Sequence, residues 1–377
     1  MAQDPPTYRR LIARRAATFD AAADAWPLVQ VHPTQRCNFA CRHCCSRSGP
    51  RATDRLPVDV LEAGIVDAAS LGYRGVVVSG GEPLLYRPLV HLLIAARSVG
   101  MTTAVVTNGT MLSSERLDEL RPVVDVLAIS IDGTPASHDA LRGTGAHAAM
   151  CRHLPTLAVS GVPFGFVTTL TSSTSSPSSK SLDLESVVAL AGDVGARFVQ
   201  VQPLVPDGRA RELQMHAPGT AELVAAHAEV RRLDAAAGAL DVALDVASRR
   251  QVLDHPLFGD APARARAHDL DPDLELTALA PVLVVDAHGT VRPVAHDLPD
   301  RLALGSMLDA PLTELRARRR RTGGSGLLAA ARAARASLAA PDGPVLVDWP
   351  RAVAARTGTA VPVAIGRGAG RRGDDRV

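Results

Sequence analysis

Six short runs rich in β-branched residues alternate along the chain with longer segments whose apolar residues recur at helical spacing. These runs predict strands over Leu28–Val31, Gly75–Ser79, Thr103–Thr107, Val124–Ile131, Phe164–Thr169 and Phe198–Gln202. The intervening segments predict helices over Val58–Leu71, Pro88–Val99, Ser113–Arg121, Ala146–Val159 and Leu182–Val194. Strand and helix in such alternation predict a parallel sheet with right-handed crossovers.

The loops that follow four of these strands carry the unusual residues of the chain. They are His32–Cys37, Gly80–Pro83, Asn108–Thr110 and Asp132–Thr134. In α/β barrels the active site is built from the loops at the carboxyl ends of the strands. We therefore predict an α/β fold, a partial (β/α)6 barrel of the TIM type over residues 25–235.

Three further regions flank the predicted barrel. Residues 1–24 form an N-terminal segment, and residues 236–320 predict a small α+β extension. Within that extension, two apolar runs meet at His288-Gly289, which predicts a β-hairpin. Residues 321–377 are rich in Arg, Ala and Gly, which predicts a partly flexible tail.

Composition excludes several classes of partner. The formal net charge of +2 is too small to favour nucleic acid, and no apolar run approaches the roughly 18–20 residues that cross a bilayer. The first twenty residues are polar and contain four arginines, so no signal peptide is predicted there. We expect a cytoplasmic protein that binds neither nucleic acid nor membrane, with its thiols reduced.

Four of the five cysteines fall within nine residues, at Cys37, Cys41, Cys44 and Cys45. A structural zinc site has two closely spaced ligand pairs far apart in sequence, and no second pair follows here. The cluster does not resemble a secreted disulfide framework. A redox pair Cys41–Cys44 would leave Cys37 unexplained. Three thiols from one compact loop suit an iron–sulfur cubane with one iron left open, and Cys45 lies outside that spacing.

The motif Cys37-x3-Cys41-x2-Cys44, followed in order by three further motifs, resembles the radical S-adenosylmethionine (radical SAM) enzymes. The further motifs are Gly80-Gly81-Glu82-Pro83, Thr107-Asn108-Gly109 and Ser130-Ile131-Asp132-Gly133. The resemblance covers roughly residues 25 to 210. It implies that Cys37, Cys41 and Cys44 ligate one [4Fe–4S] cluster, and that S-adenosyl-L-methionine (SAM) occupies the fourth iron.

The resemblance also implies a SAM site. Backbone groups of Gly80 and Gly81, with Glu82, would hold the methionyl amine, and Pro83 completes that motif. The other implied residues are Thr107, Asn108, Ser130 and Asp132 near the ribose or substrate, Arg142 at the SAM carboxylate, Gln202 near the adenine, and Phe39 on the cluster or adenine. Two alternatives stay open, because Ser130 and Asp132 also suit a turn cap and Arg142 suits a surface ion pair.

The implied reaction is reductive cleavage of SAM to a 5′-deoxyadenosyl radical, which abstracts a hydrogen atom from substrate. An electron donor such as flavodoxin or ferredoxin is implied. The extension resembles the SPASM or twitch domain of these enzymes but has no cysteine after Cys151, and Val294 stands where one is common. We expect maturation of a ribosomally synthesised peptide; a small-metabolite enzyme and a catalytically inactive iron–sulfur scaffold are the alternatives.

Overall fold

A single large sheet organises the protein. The computed structural model describes residues 27–171, 177–213, 215, 217–254, 280–293, 298–321 and 326–357. The predicted N-terminal segment 1–24 therefore lies outside the described residues. The strands are β1 (Leu28–Val31), β2 (Gly75–Val78), β3 (Thr102–Thr107), β4 (Val126–Ser130), β5 (Phe164–Leu170), β6 (Phe198–Pro203), β7 (Asp241–Leu244), β8 (Ala247–Ser248), β9 (Val282–Val285), β10 (Thr290–Pro293), β11 (Gly305–Ser306) and β12 (Leu346–Val347).

Ten of these strands form one sheet in the order β11-β10-β9-β1-β2-β3-β4-β5-β6-β7. Neighbours from β9 through β1 to β7 are parallel, whereas β10 and β11 run antiparallel. Within the described residues the two edge strands, β7 and β11, do not pair with each other. The sheet is therefore an open barrel, which confirms the predicted partial TIM-type fold.

Helices connect the parallel strands of the sheet, and further helices follow its last strand. They are α1 (Val58–Ser70), α2 (Leu89–Ser98), α3 (Ser114–Leu120), α4 (Pro135–Arg142), α5 (Ala146–Cys151), α6 (Leu154–Val159), α7 (Pro177–Asp193), α8 (Gly208–Glu212), α9 (Thr220–Ala236), α10 (Arg249–Asp254), α11 (Leu312–Arg321), α12 (Gly326–Ala339) and α13 (Trp349–Ala355). Short 3-10 turns lie at Pro83–Leu85 and Asp300–Leu302.

The predicted helix Ala146–Val159 is two helices, α5 and α6. The second begins at Leu154, and Pro155 occupies its first turn. Proline has no N–H to donate to the preceding turn, so it fits the start of a helix but interrupts a continuous one. The apolar spacing runs through both helices, and for that reason periodicity alone did not separate them.

The two faces of the sheet bury different sets of side chains. One face packs against the helices, for example through Ile65 of α1 and Leu92 of α2. The other face carries a second apolar cluster drawn from the strands: Leu28, Val77, Ala104, Val126, Ala128, Val167, Phe198, Val282 and Val284. Because side chains alternate along a strand, each strand serves both layers.

Strand β9 lies beside β1, with Leu28 opposite Val282, and the hairpin with β10 forms as predicted. Part of the predicted extension thus continues the barrel sheet. The hydroxyl of buried Tyr73, just before β2, donates to the Ala280 carbonyl at 2.8 Å and ties this region to the barrel. The division of the chain into domains stays a prediction.

Residues 326–357, within the predicted tail, contain α12, β12 and α13. Strand β12 pairs with β8, and the Arg249 guanidinium donates to the carbonyls of Ala340 at 2.7 Å and Gly343 at 3.3 Å. Trp349 at the start of α13 is buried in the apolar cluster of this unit. None of the helices in the described residues is both long and apolar enough to cross a membrane.

Gly165 of β5 is required by packing inside the barrel. A Cβ at this position would lie 2.4 Å from the ring of Phe198 in the neighbouring strand. We expect Gly165→Ala to lower the free energy of unfolding by about 1–3 kcal/mol, because the ring must leave its position. Urea titration monitored by circular dichroism measures this change.

Gly192→Ala is the matched control. Gly192 is exposed near the end of α7, and a Cβ there meets no atom within 4 Å. Alanine is the better helix former, so we expect a change of at most about 1 kcal/mol, in the stabilising direction. Equal effects of the two substitutions would contradict the packing argument.

Candidate active site

A cavity of about 260 Å³ lies among the inward-facing side chains and the loops at the carboxyl ends of the strands. Val167, Val282 and Val284 of the inner apolar cluster contribute to its wall, and Pro350 of α13 reaches it from the C-terminal unit. Its lining includes these residues singled out from the sequence: Cys37, Phe39, Cys41, Cys44, Gly80, Gly81, Glu82, Thr107, Asn108, Ser130, Arg142 and Gln202.

Cys37, Cys41 and Cys44 all line this one cavity. Burial raises the pKa of Cys37 to about 12 and also raises the pKa of Cys41. Iron binds thiolate, so metal binding must release these protons. Cys45 lines the cavity as well, so the lining alone does not separate three ligands from four.

No place in the described part of the chain gathers three Cys, His, Asp or Glu side chains around a single metal ion. A cubane cluster has several irons, and three thiols that each bind a different iron need not converge on one point. Soft sulfur donors and their spacing therefore fit an iron–sulfur cluster better than a mononuclear site.

Arg209 holds in place the loop of residues 37–48, which we call the cysteine loop. Its Nε donates to the Cys41 carbonyl at 2.7 Å and its Nη2 to the Ser48 carbonyl at 2.6 Å, while its backbone N–H donates to the Cys44 carbonyl at 3.0 Å. At Gly208 φ is +55°, and a Cβ would lie 2.3 Å from the Cys45 carbonyl oxygen. Only glycine allows the chain after β6 to approach the loop this closely.

A buried ion pair supports the loop from another side. Arg142 Nε donates to Asp132 Oδ2 at 2.6 Å, and His43 Nε2 lies 3.6 Å from the same oxygen. Burial alone would raise the pKa of Asp132, but Arg142, His43 and the Thr169 N–H, which donates at 2.8 Å, hold that pKa below its ordinary value. Burial lowers the pKa of His43 to about 4, against the pull of Asp132, so its ring is neutral at pH 7.

Asp132 differs in position from the sequence expectation. It does not line the cavity but lies behind Arg142, because its carboxylate turns towards Arg142 and the β5 backbone. Arg142 lines the cavity, and its ion pair with Asp132 is largely buried. The alternative of a surface ion pair is therefore wrong. Pro83 also lies off the cavity, where it begins a 3-10 turn.

Glu82 is the centre of the polar network on the other side of the cavity. Its Oε1 accepts from Thr107 Oγ1 at 2.7 Å and from the Leu84 N–H at 3.1 Å, and its Oε2 accepts from the Asn108 N–H at 2.9 Å. Burial raises the pKa of Glu82, although the three hydrogen bonds oppose this. A Cβ on Gly81 would lie 2.2 Å from the Arg36 carbonyl oxygen, so glycine is needed for this close approach.

Asn38 connects this network to the cysteine loop. Its Oδ1 accepts from Asn108 Nδ2 at 2.8 Å, and its Nδ2 donates to Thr110 Oγ1 at 2.8 Å. The loops after β1, β2 and β3 are thus joined by side-chain hydrogen bonds. Their three motifs are far apart in sequence and adjacent in space.

Sequence reasoning missed several residues of the site. Gln30, His32 and Asp245 line the cavity, and Gln30 Nε2 lies 2.6 Å from His32 Nε2. The alternation Gln30–His32 along β1 was the available signal, since both face the same side of that strand. Arg209 has no such local signal. In the predicted extension, His288 is exposed and 3.2 Å from Gln35 Nε2, while Val294 lies outside the described residues.

Comparison with known proteins gives a domain match. The radical SAM superfamily profile matches residues 31–172. An AdoMet-dependent heme synthase of Methanosarcina barkeri is 31% identical over 208 residues, which cover 54% of this chain and 58% of that protein. A PqqA peptide cyclase of Rhizobium meliloti is 35% identical over 116 residues, 29% of this chain and 30% of that protein. The chain thus spans less than two thirds of the length of these curated relatives.

Solved structures share the fold. SuiB of Streptococcus suis bound to S-adenosylmethionine matches with a TM-score of 0.57 and 14% identity, over 77% of this chain and 65% of that one. Native anSMEcpe with bound AdoMet and Cp18Cys peptide matches with a TM-score of 0.55 and 16% identity, over 81% and 83% of the two chains. The profile match identifies residues 31–172 of this chain as a radical SAM domain.

Proposed function

We propose that this protein is an enzyme that cleaves SAM reductively and uses the resulting radical to abstract a hydrogen atom from its substrate. One observation carries the proposal. The cavity at the carboxyl ends of the strands is lined both by Cys37, Cys41 and Cys44 and by the segment Gly80–Glu82. A [4Fe–4S] cluster bound there would supply the electron that cleaves SAM.

Each side of the cavity has its own task in this proposal. Cys37, Cys41 and Cys44 hold the cluster, and the backbone of Gly80 and Gly81 with the carboxylate of Glu82 holds the methionyl amine. Thr107 and the Asn108 backbone keep the Glu82 carboxylate oriented through the hydrogen bonds that they donate. The pre-formed network needs little rearrangement when SAM binds, which lowers the cost of binding.

The rest of the lining would position SAM and substrate. Arg142 contributes a positive charge for the SAM carboxylate, although Asp132 already neutralises part of it. Ser130, Asn108 and Gln202 offer hydrogen-bonding groups for ribose and adenine, and Phe39 offers a ring for stacking. The valines of the wall exclude water from the radical, which protects it from side reactions.

We propose peptide maturation as the leading candidate, and part of the comparisons supports it. Among the matches are a PqqA peptide cyclase, SuiB bound to its precursor peptide SuiA, and a peptide complex of anSMEcpe. The heme synthase similarity supports the second candidate, an enzyme of small-metabolite or cofactor biosynthesis. Both candidates need an electron donor, and both suit a reducing compartment such as the cytoplasm.

Cys41→Ser tests the ligand assignment, with Cys45→Ser as the matched control. Cys41 is buried and its carbonyl accepts from Arg209, whereas Cys45 falls outside the spacing. After anaerobic reconstitution with iron and sulfide, we expect Cys41→Ser to lose the brown cluster absorbance and Cys45→Ser to keep most of it. Equal loss in both variants would contradict the assignment of three ligands.

Formation of 5′-deoxyadenosine tests catalysis itself. With dithionite and SAM, the loaded protein is expected to release 5′-deoxyadenosine and methionine, and the cluster-free protein none. Chromatography with mass detection measures both products. A protein with a full cluster and no 5′-deoxyadenosine would support the inactive scaffold instead. Faster formation with a candidate precursor peptide than with small metabolites would favour the peptide class.

Arg209→Gln tests the support of the cysteine loop, with Arg211→Gln as the control. Arg211 belongs to the same short helix, but its partner is the nearby Asp207 at 2.8 Å. Since hydrogen bonds from charged donors contribute about 1.5–3 kcal/mol each, we expect Arg209→Gln to lose iron to a chelator roughly tenfold faster or more. The control should match the unmodified protein. Identical rates for all three proteins would refute the role of Arg209.

A further inference from the structure

A second concave surface is lined by neighbours in sequence of residues that line the SAM cavity, and no residue lines both. This groove has a volume of about 800 Å³ and is lined by Thr34, Arg36, Ala52, Thr53, Arg55, Leu56, Pro57, Val58, Leu85, Tyr86, Arg87 and Pro88. We call it the arginine groove. None of its lining residues carries a carboxylate.

Three guanidinium groups give the arginine groove its charge. Arg36, Arg55 and Arg87 are all exposed. Within the part of the chain that the structure describes, none of their side chains forms a salt bridge or a side-chain hydrogen bond. Elsewhere, exposed arginines such as Arg232 and Arg318 pair with a glutamate on the same helix. Unneutralised positive charges in a concave surface create a potential that attracts acidic partners.

The arginine groove lies close to the cysteine loop. Arg36 is the residue before Cys37, so their Cα atoms are about 3.8 Å apart. Two backbone hydrogen bonds join residues of the two sites, from the Gly81 N–H to the Thr34 carbonyl and from the Glu82 N–H to the Arg36 carbonyl, both at 2.9 Å. Gly81 and Glu82 line the cavity, whereas Thr34 and Arg36, to which they are hydrogen-bonded, line the groove.

We propose that the arginine groove is the docking surface for an acidic protein that carries a one-electron redox centre and reduces the cluster. This inference rests on the proposed function. The donor loses one electron and the cluster gains it, with no proton or group transferred. A surface beside Cys37 but separate from the SAM cavity lets the donor approach the cluster while substrate and SAM occupy the cavity.

The nearby acids do not oppose this proposal. Asp54 is exposed and lies in sequence between the lining residues Thr53 and Arg55. Asp59 and Glu62 lie close enough to contribute, after burial, to raising the pKa of Tyr86 to about 12. None of these three acids lines the groove. The Tyr86 hydroxyl donates to the Leu56 carbonyl at 2.9 Å, which fixes the groove floor. Charge-driven docking to such a surface is fast at low salt and weakens as salt screens it.

Binding of an oxidised flavodoxin to the 377-residue chain tests the proposal in a measurement that does not depend on the cluster. Two groove variants are used. The triple variant combines Arg36→Glu, Arg55→Glu and Arg87→Glu. The double variant combines Arg55→Glu and Arg87→Glu and keeps Arg36, the residue next to Cys37, unchanged. The control reverses three exposed arginines far from the groove in sequence, Arg231→Glu, Arg301→Glu and Arg332→Glu. All are measured by fluorescence anisotropy over a series of salt concentrations.

We expect both groove variants to bind flavodoxin at least about tenfold more weakly at low salt, with a flatter salt dependence, and the control to bind like the unmodified protein. In loaded protein, reduction by dithionite should be unchanged while reduction by flavodoxin slows. Equal binding by groove variants and control would overturn the proposal. A second result would also overturn it: groove variants that bind flavodoxin normally but no longer turn over a peptide with dithionite. In that case the groove would bind the substrate and not the electron donor. Flavodoxin binding is measured without a cluster, so it tests the docking surface even if the cluster cannot be loaded. Failure of the docking surface and failure of the SAM-cleaving activity can therefore be told apart.

Discussion

The hydrogen bonds from Arg209 to the cysteine loop are the interaction on which the site depends. A loop that carries four cysteines in nine residues has few apolar side chains with which to pack, so its shape must come from its backbone partners. Arg209 and its own backbone N–H contact three carbonyls of that loop, and Gly208 allows the contact. The last predicted strand of the barrel therefore positions the first loop, and closure of the site requires the whole sheet.

Charge balance near the loop follows from the same geometry. Arg142 and Arg209 bring positive charge close to thiols that would become anionic on binding iron, while Asp132 neutralises part of it from behind. A buried carboxylate without partners would destabilise the fold. The charge of Asp132 is compensated by Arg142 and by the hydrogen bond from the Thr169 N–H. The positive charges of Arg142 and Arg209 and the negative charge of Asp132 would thus balance the charges that the thiolates, the cluster and SAM bring to the site.

Local patterns predicted the fold well because the strands of a parallel sheet are short buried runs with helices between them. All six predicted strands occur, and the loops after them meet at one end of the sheet. The patterns did not predict that β9 would pair with β1, because the paired residues Leu28 and Val282 are some 250 positions apart and nothing local records such a pairing. Arg209 was missed for the same reason: its partners belong to another loop. The motif correctly placed Asp132 after β4, but the orientation of its carboxylate depends on Arg142 and could not be predicted from the motif.

The central claim is that three cysteines hold a cluster whose remaining iron binds SAM. Electron paramagnetic resonance of the reduced, loaded protein, with SAM labelled with ¹⁷O in its carboxylate, tests this claim most directly. We expect a hyperfine coupling between the label and the cluster that is absent with unlabelled SAM. A fully loaded and reduced cluster that shows no coupling to the label, at saturating SAM, would contradict it.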